Sequence, residues 1–211
     1  MANAAPITLE QLFRFNRNLP HQMAAITELE SDIATNGYVA AMRRDRPWFK
    51  IWSQGGKQAD LGAALQIIKK FEGVRLSAYP DPGTGGDPWT IGYGNTRYTD
   101  GRPVRQGDKI NMIEADMMLR HEVDRIAAVL ARQIPYWGEM TDGQKCSLIS
   151  FAYNCGTGFY GASGFRSITR TLREKHWEDV PSAMMLYVNP GSSVEAGLRR
   201  RRTEEGTLWA S

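Results

Sequence analysis

The sequence predicts an α+β fold that is mostly helical, with one small sheet inserted early in its larger part. Apolar residues recur at helical spacing over most of the 211 residues. Asn111 with Glu114, and Thr141 with Gln144, carry the capping signature that opens long helices. Residues 74–100 instead hold short aromatic and β-branched patches broken by Gly and Pro, which is strand-and-turn chemistry.

Residues 1–58 read as a small N-terminal helical domain, and residues 59–211 as a second, larger one. Thr8 with Gln11 forms a capping box, followed by Leu9, Leu12, Phe13 and Leu19 at helical spacing. Pro20 suits the first turn of a second helix with Met23, Ile26 and Leu29 on one face, ended by Asn36 and Gly37. Trp48, Phe49 and Trp52 then form an aromatic cluster, suited to stacking on sugar rings or to packing. SQGGKQ at 53–58 is the linker candidate. A unit this small has a marginal core alone.

In the larger part Asp60 is placed to cap a helix with Leu61, Ala64 or Leu65, Ile68 and Phe71 on its apolar face, and Gly73 to end it. Tyr79, Trp89-Thr90-Ile91 and Tyr93 are the strand patches. The helix opened by Asn111 carries Ile113, Met117, Val123, Ile126, Leu130 and Ile134 on its apolar side, and Pro135 stops it. The helix opened by Thr141 turns Leu148, Phe151 and Ala152 inward. Shorter helices follow around 168–172, 177–186 and 194–202.

Composition narrows the function. A net charge of +3 with no basic stripe argues against nucleic-acid binding, yet draws the protein weakly to an anionic envelope. No apolar run approaches the ~20 residues of a membrane span. The N-terminus lacks the basic and apolar regions of a secretory signal, so a cytoplasmic location is expected. Cys146 and Cys155, nine residues apart on one helix, would lie roughly 13 Å apart at ~1.5 Å per residue. That exceeds the ~7 Å limit for a disulfide, so both are expected to be free thiols. His21, His121 and His176 have no ligand spacing, GTGG at 83–86 lacks the lysine of a phosphate loop, and no metal or cofactor is expected. Arg199 to Arg202 read as a solvated helix face with one or two inward ion pairs, or as a contact to anionic wall polymer.

Chemistry concentrates at 71–96. Glu72 ends an apolar helix, where the negative helix terminus and the flanking Phe71 and Val74 would favour a protonated carboxyl. Asp81 lies nine residues on, in the turn YPDPG, and Thr90 in PWTIGYG. Taken singly these are a helix-end glutamate, an Asx turn and a strand threonine. Together they offer two carboxyls in different environments, as hydrolysis of a glycosidic bond requires.

The stretches FEGVRLSAYPDPG and TIGYG resemble the active-site segment of the phage-type lysozymes, the endolysin family of bacteriophage glycoside hydrolases. SFAYNCGTGFYGASGF and the ending GLRRRRTEE extend the resemblance through most of 60–211, and nothing extends it to 1–58. It implies a lysozyme-like fold with a small β-sheet lobe and a helical lobe, and Glu72, Asp81 and Thr90 as catalytic residues. The Glu72–Asp81 separation matches the family. The loop DPGTGGDPW is longer than in its shorter members, which leaves Thr84 as a rival to Thr90. Asn154 and Gly156 map onto the family's Asn-x-Gly region, and Asn95 stands where many relatives carry His. Tyr79, Tyr93, Asn95 and Asn154 are the expected substrate contacts.

The implied reaction is inverting hydrolysis of the β-1,4 bond between N-acetylmuramic acid and N-acetylglucosamine in peptidoglycan, with the carboxyls ~6.5–9.5 Å apart. The implied setting is phage-driven lysis by a monomer held in the host cytoplasm, reaching the wall once a holin opens the membrane. Two other readings stand beside it: a lytic transglycosylase, which needs one acid, and a wall-binding or virion protein of the same fold without turnover.

Overall fold

The computed structural model describes residues 60–81 and 84–211. The helices, aromatic cluster and linker expected in residues 1–58 lie outside them. The first helix, α1, spans Gly62–Glu72 with Leu61 at its N-cap position. Asp60 still serves the helix start, because its Oδ1 accepts the Gly62 N–H at 2.9 Å. Leu61, Ala64 and Ile68 are buried, and Leu65 and Phe71 half-buried. Gly73 ends the helix at φ 66°, a left-handed conformation that costs a residue with a Cβ about 1 kcal/mol or more. The chain therefore leaves the helix directly after Glu72.

Strand β1 (Arg75–Tyr79) pairs antiparallel with β2 (Thr90–Gly92). Arg75 faces Gly92 and Tyr79 faces Thr90, so four steps on one strand meet two on the other. That excess is a bulge, which bends β1 and increases its twist. The other edge of β1 is covered: the Ala78 N–H donates to the Asp108 carbonyl and the Ile110 N–H to that of Leu76, both at 2.9 Å. Ile91, Val104 and Met118 form a small core for this lobe, with Ala78, Trp89, Tyr98 and Ile110 against it.

Met118 belongs to the long helix α2 (Met112–Gln133), so that helix serves both lobes. Its capping box forms as expected: the Asn111 side chain accepts from Glu114 N–H at 2.9 Å, and Glu114 accepts from Asn111 N–H at 2.7 Å. The inner stripe is Ala115, Met118, Leu119, Val123, Ile126 and Leu130. Two residues assigned to that stripe from sequence lie off it. Ile113 is 38% exposed and Met117 half-buried, because they sit roughly 140° and 180° around the helix from the centre of that stripe. Ile134 is buried at the C-cap, directly before Pro135.

Helix α3 (Asp142–Cys155) also opens on its expected capping box. Every residue from Cys146 to Ala152 is buried, the serines 147 and 150 included. A helix covered on all sides needs neighbours all round, and α1, α2 and α6 supply them. Cys146 and Cys155 are free thiols, each raised in pKa first by burial. Helices α4 (Arg166–Arg173) and α5 (Val180–Met184) lead to α6 (Glu195–Trp209).

Helix α6 runs well past the end expected near Arg202, because its last turn is anchored: Trp209 is buried and its Nε1 donates to the Trp177 carbonyl at 2.8 Å. The start of α3 meets the end of α6 so closely that a Cβ at Gly143 would stand 2.6 Å from the Leu208 carbonyl oxygen. Backbone cannot swing away as a side chain can. Gly143→Ala is therefore expected to destabilise by ~1–3 kcal/mol, read as a fall of several degrees in Tm by differential scanning calorimetry.

Candidate active site

Glu72 ends α1 with its side chain 26% exposed, and its Oε1 accepts Arg201 Nη1 at 2.6 Å. The apolar surround expected from Phe71 and Val74 is thus replaced by a guanidinium. The reason is long-range: Arg201 comes from α6, and Val74 is 39% exposed. Arg201 is itself held, by Glu205 at 3.1 Å from its Nε and by the Ser150 carbonyl at 3.1 Å from its Nη2. Glu205 is fully buried; its Oε1 also accepts the Ser150 hydroxyl at 2.7 Å, and its Oε2 accepts from Arg202. Arg202 reaches on to the carbonyl of Tyr187 and to Asn154 Oδ1. Two guanidiniums and two carboxylates thus balance in one cluster.

This settles the arginine run. Arg199 pairs at the surface with Glu195 at 2.8 Å and Arg200 is exposed, while Arg201 and Arg202 are the two inward ion pairs. Neither of those two is available to wall polymer. Asn154, expected at the substrate, has its side-chain oxygen engaged by Arg202; its residue remains exposed.

Asp81 follows β1 by two residues. Its Oδ1 accepts the Thr84 N–H at 3.0 Å, and its backbone closes the same loop through Gly85 and Gly86. Thr84 turns its hydroxyl into that loop, donating to the Asp87 carbonyl at 2.8 Å and accepting from Gly86 N–H at 3.3 Å. Thr90 is half-buried at the start of β2, paired through the backbone with Tyr79, and its hydroxyl has no partner among the described residues. Tyr79 is half-buried beneath the Arg75 guanidinium, 4.8 Å from ring centre.

Tyr93 is not at the surface, contrary to its assignment as a substrate contact. It is 4% exposed, packs in the main core and donates its hydroxyl to Asp116 Oδ1 at 3.0 Å. The glycines around it mimic a loop in sequence, but α2 supplies the cover. Tyr153, which sequence reasoning passed over, donates to the Tyr93 carbonyl at 2.9 Å. Its hydroxyl pKa is raised first by burial and then by the charges of Glu72 and Glu122, with Arg201 opposing. Tyr153 also lines a cavity of about 350 Å³ with Asn95, Arg97, Glu122, Arg125 and Gly156; Glu72 is not among its lining residues. Asn95 Oδ1 is buried there without a hydrogen-bond partner among the described residues. Gly156 caps α3 at φ 85°.

Two outcomes follow from these contacts. Glu205→Gln leaves two buried guanidiniums facing one carboxylate, and is expected to destabilise by ~3–5 kcal/mol in urea titrations. Burial, and then the hydrogen bond and charge of Asp116, push the Tyr93 hydroxyl up to about 12, against ~10 in an unfolded chain. The folded state so keeps a proton that the unfolded chain releases. This contribution is complete below about pH 10 and lost as pH rises through about 12. Tyr93→Phe should flatten the alkaline fall of the urea midpoint relative to the parent protein.

Comparison with known proteins agrees with this architecture. Residues 69–205 match the family described as phage lysozyme. An endolysin of Bacillus phage PZA is 31% identical over 149 residues, covering 71% of this chain and 54% of that protein. One from Bacillus phage B103 is 29% identical over 147 residues, 70% of this chain and 52% of the relative. The chain thus spans about half the length of these two relatives. Among solved structures, the endolysin from Escherichia coli O157:H7 phage FAHEc1 superposes with a TM-score of 0.60 at 29% identity, over 74% of this chain and 94% of that one. The muramidase domain of SpmX from Asticaccaulis excentricus superposes with a TM-score of 0.58 at 28% identity, over 71% and 95%. A helical body built round a buried α3, a bulged hairpin between its first two helices and a family match through both place this chain in the phage lysozyme family.

Proposed function

We propose that this chain is a glycoside hydrolase that cleaves the β-1,4 bond between N-acetylmuramic acid and N-acetylglucosamine in peptidoglycan. The observation that carries the reading is the clamp on Glu72. One carboxylate oxygen is held at 2.6 Å by a buried arginine, and the other has no partner among the described residues. A carboxyl so oriented meets the glycosidic oxygen without first losing side-chain freedom, and it takes the general-acid role once it holds a proton. Asp81, stiffened by Pro80 and Pro82 and by its Thr84 contact, is the ionised partner that activates water. Thr90 orients that water, a role its unpartnered hydroxyl suits better than the loop-bound hydroxyl of Thr84.

Inversion follows if water enters between the two carboxyls. The bulge in β1 supports this arrangement. Nine residues of straight strand would separate Glu72 from Asp81 by ~30 Å, so a bend is required to bring both to one sugar. Tyr79, Asn95 and the amide nitrogen of Asn154 are the substrate contacts in this reading.

The biological role is host lysis by a phage. No helix among the described residues is long and apolar enough to cross a membrane, so passage from the host cytoplasm to the wall falls to a separate protein such as a holin. The protein acts as a monomer.

The test is release of reducing ends from purified peptidoglycan, with mass spectrometry of the products. Glu72→Gln is expected to lose at least ~10³-fold in kcat/KM, Asp81→Asn nearly as much, Thr90→Ala less, and Thr84→Ala about twofold at most. Near-parental turnover by Glu72→Gln would refute the assignment. Products ending in 1,6-anhydro-muramyl residues would identify a transglycosylase instead, and wall binding without new reducing ends a non-catalytic protein.

A further inference from the structure

We propose that the recess beside α4 is a binding site for the phosphate groups of an anionic surface polymer, separate from the hydrolytic site. The recess measures about 420 Å³ and shares no lining residue with the cavity at Asn95. Arg166, Arg170 and Arg173 line one side, and Ser163, Ser167 and Thr169 add hydroxyls. Thr169 Oγ1 accepts the Gly161 N–H at 3.0 Å, which pins the loop that forms the opposite wall.

The charge balance of α4 points to an anion. Its sequence RSITRTLR has no acidic residue, and Arg166, Arg170 and Arg173 fall four and three residues apart, on one face. Like charges at these spacings repel, and Arg166 stands at the positive end of the helix dipole, the unfavourable place for a cation. Arg173 is relieved by Glu174 at 2.9 Å. Arg166 and Arg170 have no carboxylate partner among the described residues and are exposed. An anion seated between them would offset both penalties.

Guanidinium forks with neighbouring hydroxyls match phosphate oxygens in both charge and geometry. Among the described residues no carboxylate lines the recess, and its three arginines repel a cation. No aromatic residue lines it among the described residues, so these offer nothing on which a nucleobase would stack. None of the exposed large apolar residues borders it, as insertion into a bilayer surface would need. A concave, hydroxyl-rich basic recess suits a soluble phosphodiester chain, which would hold the protein on the envelope whatever bond the other site cleaves.

The experiment uses the full chain with three probes: soluble poly(glycerol phosphate), phosphatidylglycerol vesicles and inorganic phosphate, followed by isothermal titration calorimetry. The protein should bind the polymer, and inorganic phosphate should compete. Arg166→Ala with Arg170→Ala should weaken polymer binding by ~10-fold or more. Arg120→Ala with Arg132→Ala, which removes the same charge elsewhere, should change it by about twofold at most. Removing repulsive charges from α4 should leave Tm unchanged or raised, and release of reducing ends from solubilised glycan unchanged. Equal weakening by the two double variants would reduce the effect to net charge and overturn the proposal. So would tighter binding to vesicles than to polymer, or no polymer binding by the parent protein. Loss of hydrolysis with polymer binding intact would count only against the hydrolase reading.

Discussion

The buried carboxylate of Glu205 is the constraint on which much else in this molecule depends. It lies fully inside and joins two guanidiniums that are themselves nearly inaccessible. Three charges in such a place would be intolerable unless each were paired and hydrogen-bonded. The surrounding elements meet that demand one by one: Ser150 donates from α3, the Ser150 and Tyr187 carbonyls accept, and Glu72 completes the balance from α1. The cluster therefore fixes the relative placement of α1, α3 and α6, which also pack against one another. Of the four charged side chains Glu72 is the one that reaches solvent, so the rigidity of the cluster is delivered to the carboxyl that does the proposed chemistry.

The sheet lobe answers a different demand. It has its own small core and meets the helical body largely through α2, whose Met118 packs into that core while Leu119 packs into the main one. Tyr93 and Tyr153 then link the lobes by polar contacts: one donates to Asp116 on α2, the other from α3 to the Tyr93 carbonyl. Both hydroxyls are buried enough to resist ionisation. The Asp81 loop hangs from the end of this lobe and closes on itself through Thr84, Gly85 and Gly86. One acid is thus held by long-range charge pairing and the other by its own turn, two ways of giving two carboxyls different environments.

What was legible in the sequence follows from the range of the interactions. Both capping boxes were readable because each is settled within four residues, and Gly73 because a left-handed helix end needs no distant partner. The strands were readable as patches, but the bulge was not, since register depends on both strands at once. Ile113 and Met117 look apolar enough to be inside, yet the phase of α2 is set by what packs on it. The Arg201 contact to Glu72 spans 129 positions and no local pattern encodes it. Its one trace was the excess of arginine in GLRRRRTEE, where an inward pair was expected but not its target. Tyr93 failed for the same reason: it was readable as a strand patch and a substrate contact, and only the packing of α2 reveals its cover.

The two arginine sets carry this reasoning to its limit. Helices α4 and α6 each hold at least three arginines at helical spacings, yet α6 takes two of its own inside while α4 keeps its three on the surface. Arginine content does not distinguish them; carboxylate placement does. In α6, Glu205 follows Arg201 by four residues and Arg202 by three, so one acid serves both on the inner face. In α4 no acid falls within the helix, and the inner positions belong to Ile168 and Leu172. Arg201 and Arg202 of α6 are thus neutralised within the chain and do structural service, whereas Arg166 and Arg170 of α4 have no carboxylate partner among the described residues. A run of basic residues acquires its meaning from the acids spaced around it, and here that spacing separates the arginines buried in ion pairs from those left at the surface.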